Sequence, residues 1–154
     1  MNILVLCTGN SARSILLEAI LNHRSSGRVV AHSAGSHPAG RVHPQALAEL
    51  TRQGVPSPAA RSKSWDEFAL PGAPVMDAVI TVCSSAAGET CPLWPGAPLR
   101  SHWGEDDPAA APAGDQPAAF AHAFARLDAR ATAFLGALAG GQTLDQALPA
   151  GAAT

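Results

Sequence analysis

The chain has 154 residues, 47% of them hydrophobic and 14% charged, which is typical of one globular domain with a buried core. Its formal net charge of −2 argues against nucleic acid as the main partner. No apolar run reaches the length of a membrane span, and no signal peptide is predicted. Three cysteines in such a chain indicate the reducing cytoplasm, where thiols carry out chemistry or bind metal.

Strands and helices alternate in the predicted secondary structure. Apolar runs predict strands at residues 2–6, 28–33, 78–82 and 99–101. Periodicity and capping residues predict helices at residues 14–23, 44–53, 64–68 and 118–138, the last of these closing the fold. A loop is predicted at 84–98 and a polar, proline-rich stretch at 104–117, whereas the Ala/Gly-rich tail 140–154 is expected to be mobile.

The alternation predicts an α/β fold: a single three-layer domain, residues 1–139, with a four-stranded parallel sheet and helices on both faces. Ligands of such sheets bind outside the carboxyl ends of the strands. Cys7 follows the first predicted strand, Cys83 the third, and the acidic run Glu105-Asp106-Asp107 the fourth. Two thiols and an acidic cluster are therefore predicted at one edge of the sheet, with Glu105 itself expected on the surface.

The segment Cys7-Thr8-Gly9-Asn10-Ser11-Ala12-Arg13-Ser14 lies between the first predicted strand and the first predicted helix. A glycine-containing loop that opens a helix directs backbone N–H groups at one point and binds a tetrahedral oxyanion. Arg13 can add a two-pronged contact to the same anion. Cys7, at the rim of this positive field, is predicted to be a thiolate nucleophile near neutral pH.

This loop resembles the phosphate loop of low-molecular-weight protein tyrosine phosphatases and of the arsenate reductases that share their fold. Further motifs are similar to those of the reductases coupled to thioredoxin. These motifs are Ser33-Ala34-Gly35, Val82-Cys83-Ser84, Cys91-Pro92, and His102-Trp103-Gly104 before Asp106-Asp107-Pro108. The resemblance extends from Met1 to about Leu138 and predicts a phosphate loop after the first strand.

The resemblance implies a thiol cascade. Cys7 attacks arsenate while Arg13 and the loop hold the oxyanion, and Cys83 then attacks Cys7 and releases arsenite. Cys91 next takes over Cys83, and thioredoxin reduces the resulting disulfide. The reaction needs no cofactor, and the protein is expected to be a monomer without a nucleic-acid or membrane partner.

The family pattern also assigns supporting roles. Asp107 matches the general acid that protonates the leaving oxygen, and Ser14 matches a hydroxyl that hydrogen-bonds the nucleophile. The residues expected to bind the oxyanion are Thr8, Gly9, Asn10, Ser11, Ala12 and Arg13.

Members of this family bind a monovalent cation near the loop, through residues that match Asn10, Glu18 and Ser33. Lys63 stands where an acidic fourth ligand is expected, and Asp66 follows three residues later. The expectation is that the Lys63 ammonium replaces the metal and braces Asn10 and Glu18 directly.

Other functions remain open at this level. A tyrosine phosphatase could use Cys7, Arg13 and Asp107, although Ala109 follows the Asp-Pro pair and the chain has no tyrosine to hold a substrate ring. A reductase coupled to a small-molecule thiol is a further possibility. A redox sensor or zinc protein could use the later two cysteines with His102, but seven residues separate those cysteines, unlike the close pairs of zinc sites.

Overall fold

A computed structural model describes residues 1–89, 92 and 94–154, so the predicted resolving thiol Cys91 lies outside the described residues. Within them the strands are β1 (Asn2–Cys7), β2 (Val30–Gly35), β3 (Ala78–Thr81) and β4 (Leu99–His102). The α-helices are α1 (Arg13–Arg24), α2 (Pro44–Arg52), α3 (Ser84–Gly88), α4 (Gln116–Ala139) and α5 (Leu144–Ala153). Short 3₁₀ helices span Trp65–Ala69, Pro108–Ala110 and Ala113–Asp115.

The strands form one parallel sheet in the order β2-β1-β3-β4, which confirms the predicted fold class. Alternate residues of β1 point to opposite faces of the sheet, as the strand period of two requires. Ile3 and Val5 join a large core beneath α1, α2, α4 and α5, whereas Leu4 and Leu6 join a smaller core that includes Phe68. The four longer helices therefore cover one face, and the 3₁₀ helix Trp65–Ala69 covers part of the other.

The predicted loop 84–98 begins with a short helix, α3. The Cys83 sulfur accepts a hydrogen bond from the Ala86 N–H at 3.4 Å and so caps the first turn of α3. A five-residue helix is too short to show a periodic pattern in the sequence.

The prediction of a mobile tail is wrong, and α4 is not the last helix. The Gln146 side chain accepts from the Thr143 N–H at 3.0 Å to open α5, and Leu148 is buried. At Gly151 an added Cβ would lie 2.2 Å from the Trp103 ring, so this glycine allows the helix to approach the indole closely. The small side chains of residues 140–154 allow α5 to pack closely, but they give only a weak apolar pattern in the sequence, so the helix was not predicted.

No helix in the described part of the chain is long and apolar enough to cross a membrane.

Candidate active site

A cavity of about 520 Å³ opens at the carboxyl ends of β1 and β3, next to the residues that follow β4. Its wall includes the loop that joins β1 to α1, the sulfur-bearing residues Cys7 and Cys83, and the acidic segment Glu105–Asp107. The predicted thiols and acidic cluster that fall within the described residues therefore do meet at one edge of the sheet.

The carbonyl groups of the loop point away from this cavity. Thr8, Gly9 and Ser11 accept hydrogen bonds from the N–H groups of the segment 37–43, at 2.8 to 2.9 Å. In a trans peptide the N–H of the next residue points opposite to the carbonyl. The N–H groups that follow these carbonyls therefore point away from the segment 37–43, which leaves them available for an oxyanion nest.

Asn10 fixes the loop from beneath. It is fully buried with φ of 45°, a left-handed conformation that asparagine tolerates. Its amide donates to Ser14 Oγ at 2.9 Å and Ser33 Oγ at 3.0 Å, and it accepts from the Lys63 N–H at 2.9 Å. A Cβ at Gly35 would lie 2.4 Å from the Thr8 carbonyl oxygen, so the end of β2 must carry glycine.

Ser14 is buried beneath the loop, where its Oγ accepts from Asn10. The hydrogen bond expected from Ser14 to the Cys7 sulfur stays a prediction.

Arg13 begins α1 and lies beside the acidic segment. Its Nη1 donates to the Glu105 carbonyl oxygen at 2.8 Å, and its Nη2 lies 3.7 Å from Asp107 Oδ2. Its Nε is buried with no hydrogen-bond partner among the described residues. A buried, unpaired N–H on a residue that lines the cavity is a ready donor for an anion.

Cys7 and Cys83 are both free and buried, and they line the cavity as neighbouring side chains. This contact, with burial, raises the pKa of Cys7 despite the opposing charge of Arg13. The same contact, with the Ala86 N–H and Thr8, lowers the pKa of Cys83 to about 5. The two thiols therefore titrate together as a pair.

The role of Cys7 as the thiolate nucleophile beside Arg13 stays a prediction. Cys7 is 6% exposed, and its sulfur is next to a second thiol whose charge opposes its own ionisation. The sequence predicted both thiols at this edge of the sheet, but not the effect of each on the pKa of the other.

Asp107 lies at the mouth of the cavity, with its side chain 44% exposed. Its carboxylate accepts from the Ala109 N–H at 3.0 Å and caps the 3₁₀ helix Pro108–Ala110. Its other oxygen faces Arg13, in a position from which it can reach a group bound in the cavity.

Lys63 is buried and its ammonium lies among the residues expected to hold a cation. Its Nζ is 3.4 Å from Ser33 Oγ, 3.9 Å from Glu18 Oε2 and 3.1 Å from the Arg61 carbonyl oxygen. Ser33 Oγ in turn donates to Glu18. These residues do not fit a bound metal ion, because the ammonium already supplies a positive charge there.

Lys63 bonds Asn10 through its backbone N–H. The expectation that the Lys63 ammonium makes this contact is therefore wrong. Burial raises the pKa of Glu18 and lowers the pKa of Lys63, with each partner's charge opposing that shift. Asp66 is exposed, and its N–H donates to Ser64.

No group of three or more His, Cys, Asp or Glu residues that could hold a metal ion occurs among the described residues. His102 Nδ1 is bonded to the Thr81 hydroxyl at 2.7 Å, which gives it a structural partner.

Two contacts of the site were not anticipated. Thr8 Oγ1 lies 3.6 Å from the Cys83 sulfur and donates to Glu89 at 3.2 Å. Glu105, expected on the surface, has a side chain that is 4% exposed and is paired with Arg126 and Arg130 of α4. The spacing of Arg126 and Arg130 places them on one face of α4, and this was the signal in the sequence for a buried acidic partner.

An anion nest formed at the end of the first strand of a parallel sheet, with a cysteine at its base, defines a thiol-dependent enzyme of the phosphatase type. The family model for "Low molecular weight phosphotyrosine protein phosphatase" matches residues 2–147, and the chain belongs to this family.

Curated relatives within the family are arsenate reductases. The chain is 38% identical over 106 residues to the one from Shouchella clausii, covering 69% of this chain and 73% of the relative. It is 36% identical over 106 residues to the arsenate reductase from Bacillus subtilis, again covering 69% of this chain and 73% of the relative.

Solved structures agree on the fold. A thioredoxin-dependent arsenate reductase from Corynebacterium glutamicum matches with a TM-score of 0.67 and 26% identity, covering 92% of this chain and 63% of that one. A low molecular weight protein tyrosine phosphatase from T. tengcongensis matches with a TM-score of 0.68 and 22% identity, covering 92% of this chain and 99% of that one.

Proposed function

We propose that this protein reduces arsenate to arsenite by a thiol–disulfide cascade that starts at Cys7 and is completed by thioredoxin. The observation that carries the proposal is that two free, buried thiols, Cys7 and Cys83, line one cavity together with Arg13. A phosphatase needs one thiol in its nest, whereas a reductase needs a second thiol within reach of the first. The arsenate reductases among the curated relatives support the same choice.

In the first step the loop N–H groups and Arg13 hold the oxyanion, and the Cys7 sulfur attacks arsenic. Cys7 attacks as its thiolate, which the positive charge of Arg13 favours. One oxygen of arsenate leaves as water, with Asp107 as the proton donor. Arsenic remains in its oxidised state in the Cys7 adduct.

In the second step Cys83 attacks the Cys7 sulfur. The sulfur–arsenic bond breaks, its electron pair stays with arsenic, and arsenite leaves as a Cys7–Cys83 disulfide forms. The Cys83 proton is transferred to the departing arsenite, and the Ala86 N–H stabilises the Cys83 thiolate as it forms.

In the third step Cys91 attacks Cys83, which frees Cys7 and leaves a Cys83–Cys91 disulfide. Ser84, Ser85, Ala87 and Gly88 of α3 are exposed, which makes this segment the part of the site best able to rearrange. Two electrons from a thioredoxin dithiol then restore the thiols. This role for thioredoxin and the assignment of the protein to the cytoplasm are part of the proposal.

Hydrolysis of phosphotyrosine is the second candidate, favoured by the family match and by the position of Asp107 beside Arg13. The described wall of the cavity contains no aromatic side chain to stack on a substrate ring. We therefore expect weak hydrolysis of small aryl phosphates as a side reaction of the same nest.

The proposed function is tested by following arsenate-dependent oxidation of NADPH with thioredoxin and thioredoxin reductase. A parallel assay supplies glutathione and glutaredoxin. Turnover with thioredoxin is the expected result, and turnover only with glutathione and glutaredoxin would replace the protein cascade by a small-thiol mechanism. Rapid phosphatase turnover without arsenate reduction would favour the second candidate.

A further inference from the structure

A buried ion pair joins helix α4 to the loop that carries Asp107. Arg130 and the Glu105 side chain are 7% and 4% exposed, and Arg130 Nε donates to Glu105 Oε1 at 2.8 Å. Arg130 Nη2 also donates to the Gly104 carbonyl oxygen at 2.9 Å. One guanidinium thus holds two successive residues of the loop.

The same guanidinium reaches the end of α5. Its Nη1 donates to the carbonyl oxygens of Gly151 at 2.9 Å and Ala152 at 3.1 Å. These carbonyls belong to the last turn of the helix, where no later N–H of that helix donates to them and a positive charge is favourable. Arg130 therefore ties the C-terminal helix to Gly104 and Glu105.

Glu105 continues this chain of contacts into the active site. Its backbone carbonyl accepts from Arg13 Nη1 at 2.8 Å, and its N–H donates to the Val82 carbonyl at 3.0 Å, directly before Cys83. The backbone of Glu105 is therefore in direct contact with the Arg13 guanidinium, whose Nε has no hydrogen-bond partner in the described part of the chain.

We propose that Arg130 is a positioning residue, which holds Gly104 and Glu105 against α5 so that Arg13 is already oriented for the oxyanion. On this view the C-terminal helix is part of the anion site, although none of its residues lines the cavity. The inference rests on the proposed function only for the identity of the oxyanion, since phosphate tests it equally well.

Arg126 provides a matched control. It also bonds the Glu105 carboxylate, through Nε at 2.8 and 3.0 Å, but its side chain is 46% exposed. Arg126→Met removes the same charge from the same partner and leaves the bonds of Arg130 to Gly104 and α5 in place.

The experiment measures the Kd of inorganic phosphate by isothermal titration calorimetry under reducing conditions, well below the Tm of each variant. We expect Arg130→Met to raise the Kd about 10- to 100-fold, since small misplacements of catalytic groups have effects of that size. The Kd of Arg126→Met should stay within about twofold of the wild-type value. Arg130→Lys keeps the charge but loses the planar guanidinium, so its Kd should lie between those of the two Met variants.

A purely structural role predicts a lower Tm for Arg130→Met with an unchanged phosphate Kd, and that result would overturn the inference. Equal losses in both Met variants, or no phosphate binding by the wild type, would also overturn it. If Arg130→Met does not fold, Gly151→Ala provides the test instead. Its added Cβ disturbs the packing of α5 against Trp103 without altering a charge. A folded Gly151→Ala protein with wild-type Kd refutes the inference, and a raised Kd supports it.

Arsenate turnover is recorded separately for each protein. A wild type that binds phosphate but does not reduce arsenate contradicts the proposed function alone. A wild type that reduces arsenate, beside an Arg130→Met variant that binds phosphate equally well, contradicts the positioning role alone.

Discussion

The two cysteine-bearing regions of the site are constructed in opposite ways. The loop after Cys7 is held by buried partners, chiefly Asn10, whose side chain is bonded on both its amide nitrogen and its oxygen. The segment after Cys83 is a five-residue helix with four exposed residues and little packing of its own. Binding an oxyanion requires fixed donors, whereas moving a disulfide outward requires a segment that opens at small cost.

The largest expected effect comes from damage to the fixed region. Cys7→Ser should reduce both arsenate reduction and hydrolysis of p-nitrophenyl phosphate by at least about 10³-fold, because both reactions use the same nucleophile. Steady-state assays of the two activities provide the check. Retained arsenate turnover by this variant would refute the assignment of Cys7.

Arg13→Lys should be nearly as severe, with a loss of about 10²- to 10³-fold in kcat/KM for both substrates. Lysine keeps the positive charge but cannot replace the planar fork that bonds Glu105 and the oxyanion together. Arg24→Lys, at an exposed ion pair with Asp128, is the control and should be close to wild type. Similar kinetics for the two variants would show that Arg13 does not bind the anion.

Damage to the second region should separate the two activities. Cys83→Ser should retain hydrolysis of p-nitrophenyl phosphate within a few-fold but lose multiple turnovers of arsenate, since only the release of arsenite needs the second thiol. Parallel assays on one preparation measure the ratio of the two activities. Equal loss of both would mean that Cys83 supports the loop and not the redox step.

A smaller effect tests the electrostatic interaction between the two thiols. The pKa of Cys83 is lowered to about 5, so alkylation of this residue by iodoacetamide should have a pH midpoint well below that of an ordinary thiol. In Cys7→Ala the neighbouring thiol is lost, and the pH midpoint of alkylation should rise toward the ordinary thiol value of about 8.5. Peptide mapping assigns the modified residue, and an unchanged midpoint would show that Cys7 does not lower the pKa of Cys83.

The smallest expected effect concerns the buried support of the loop. With the Lys63 ammonium beside Glu18 and Ser33, activity and Tm should not differ between potassium and sodium buffers of equal ionic strength. A rise specific to potassium would contradict the replacement of a metal by Lys63 and would make Asp66 the candidate ligand.

The sequence predicted the sheet and the phosphate loop, because local signals specify both. Apolar runs mark β1 and β3, and the loop motif lies between β1 and α1 within eight residues. Contacts between distant residues were not predictable in this way. The pairing of Arg130 with Glu105 and the docking of α5 on Trp103 both depend on how the layers pack.

The central claim is that the disulfide moves from Cys7 to Cys83 and then to Cys91, and peptide mapping after a single turnover with arsenate, without thioredoxin, tests it most directly. The account predicts a Cys83–Cys91 disulfide in the wild type and a Cys7–Cys83 disulfide in Cys91→Ser. A wild type without the Cys83–Cys91 linkage, together with full arsenate reduction by both Cys83→Ser and Cys91→Ser, would contradict it.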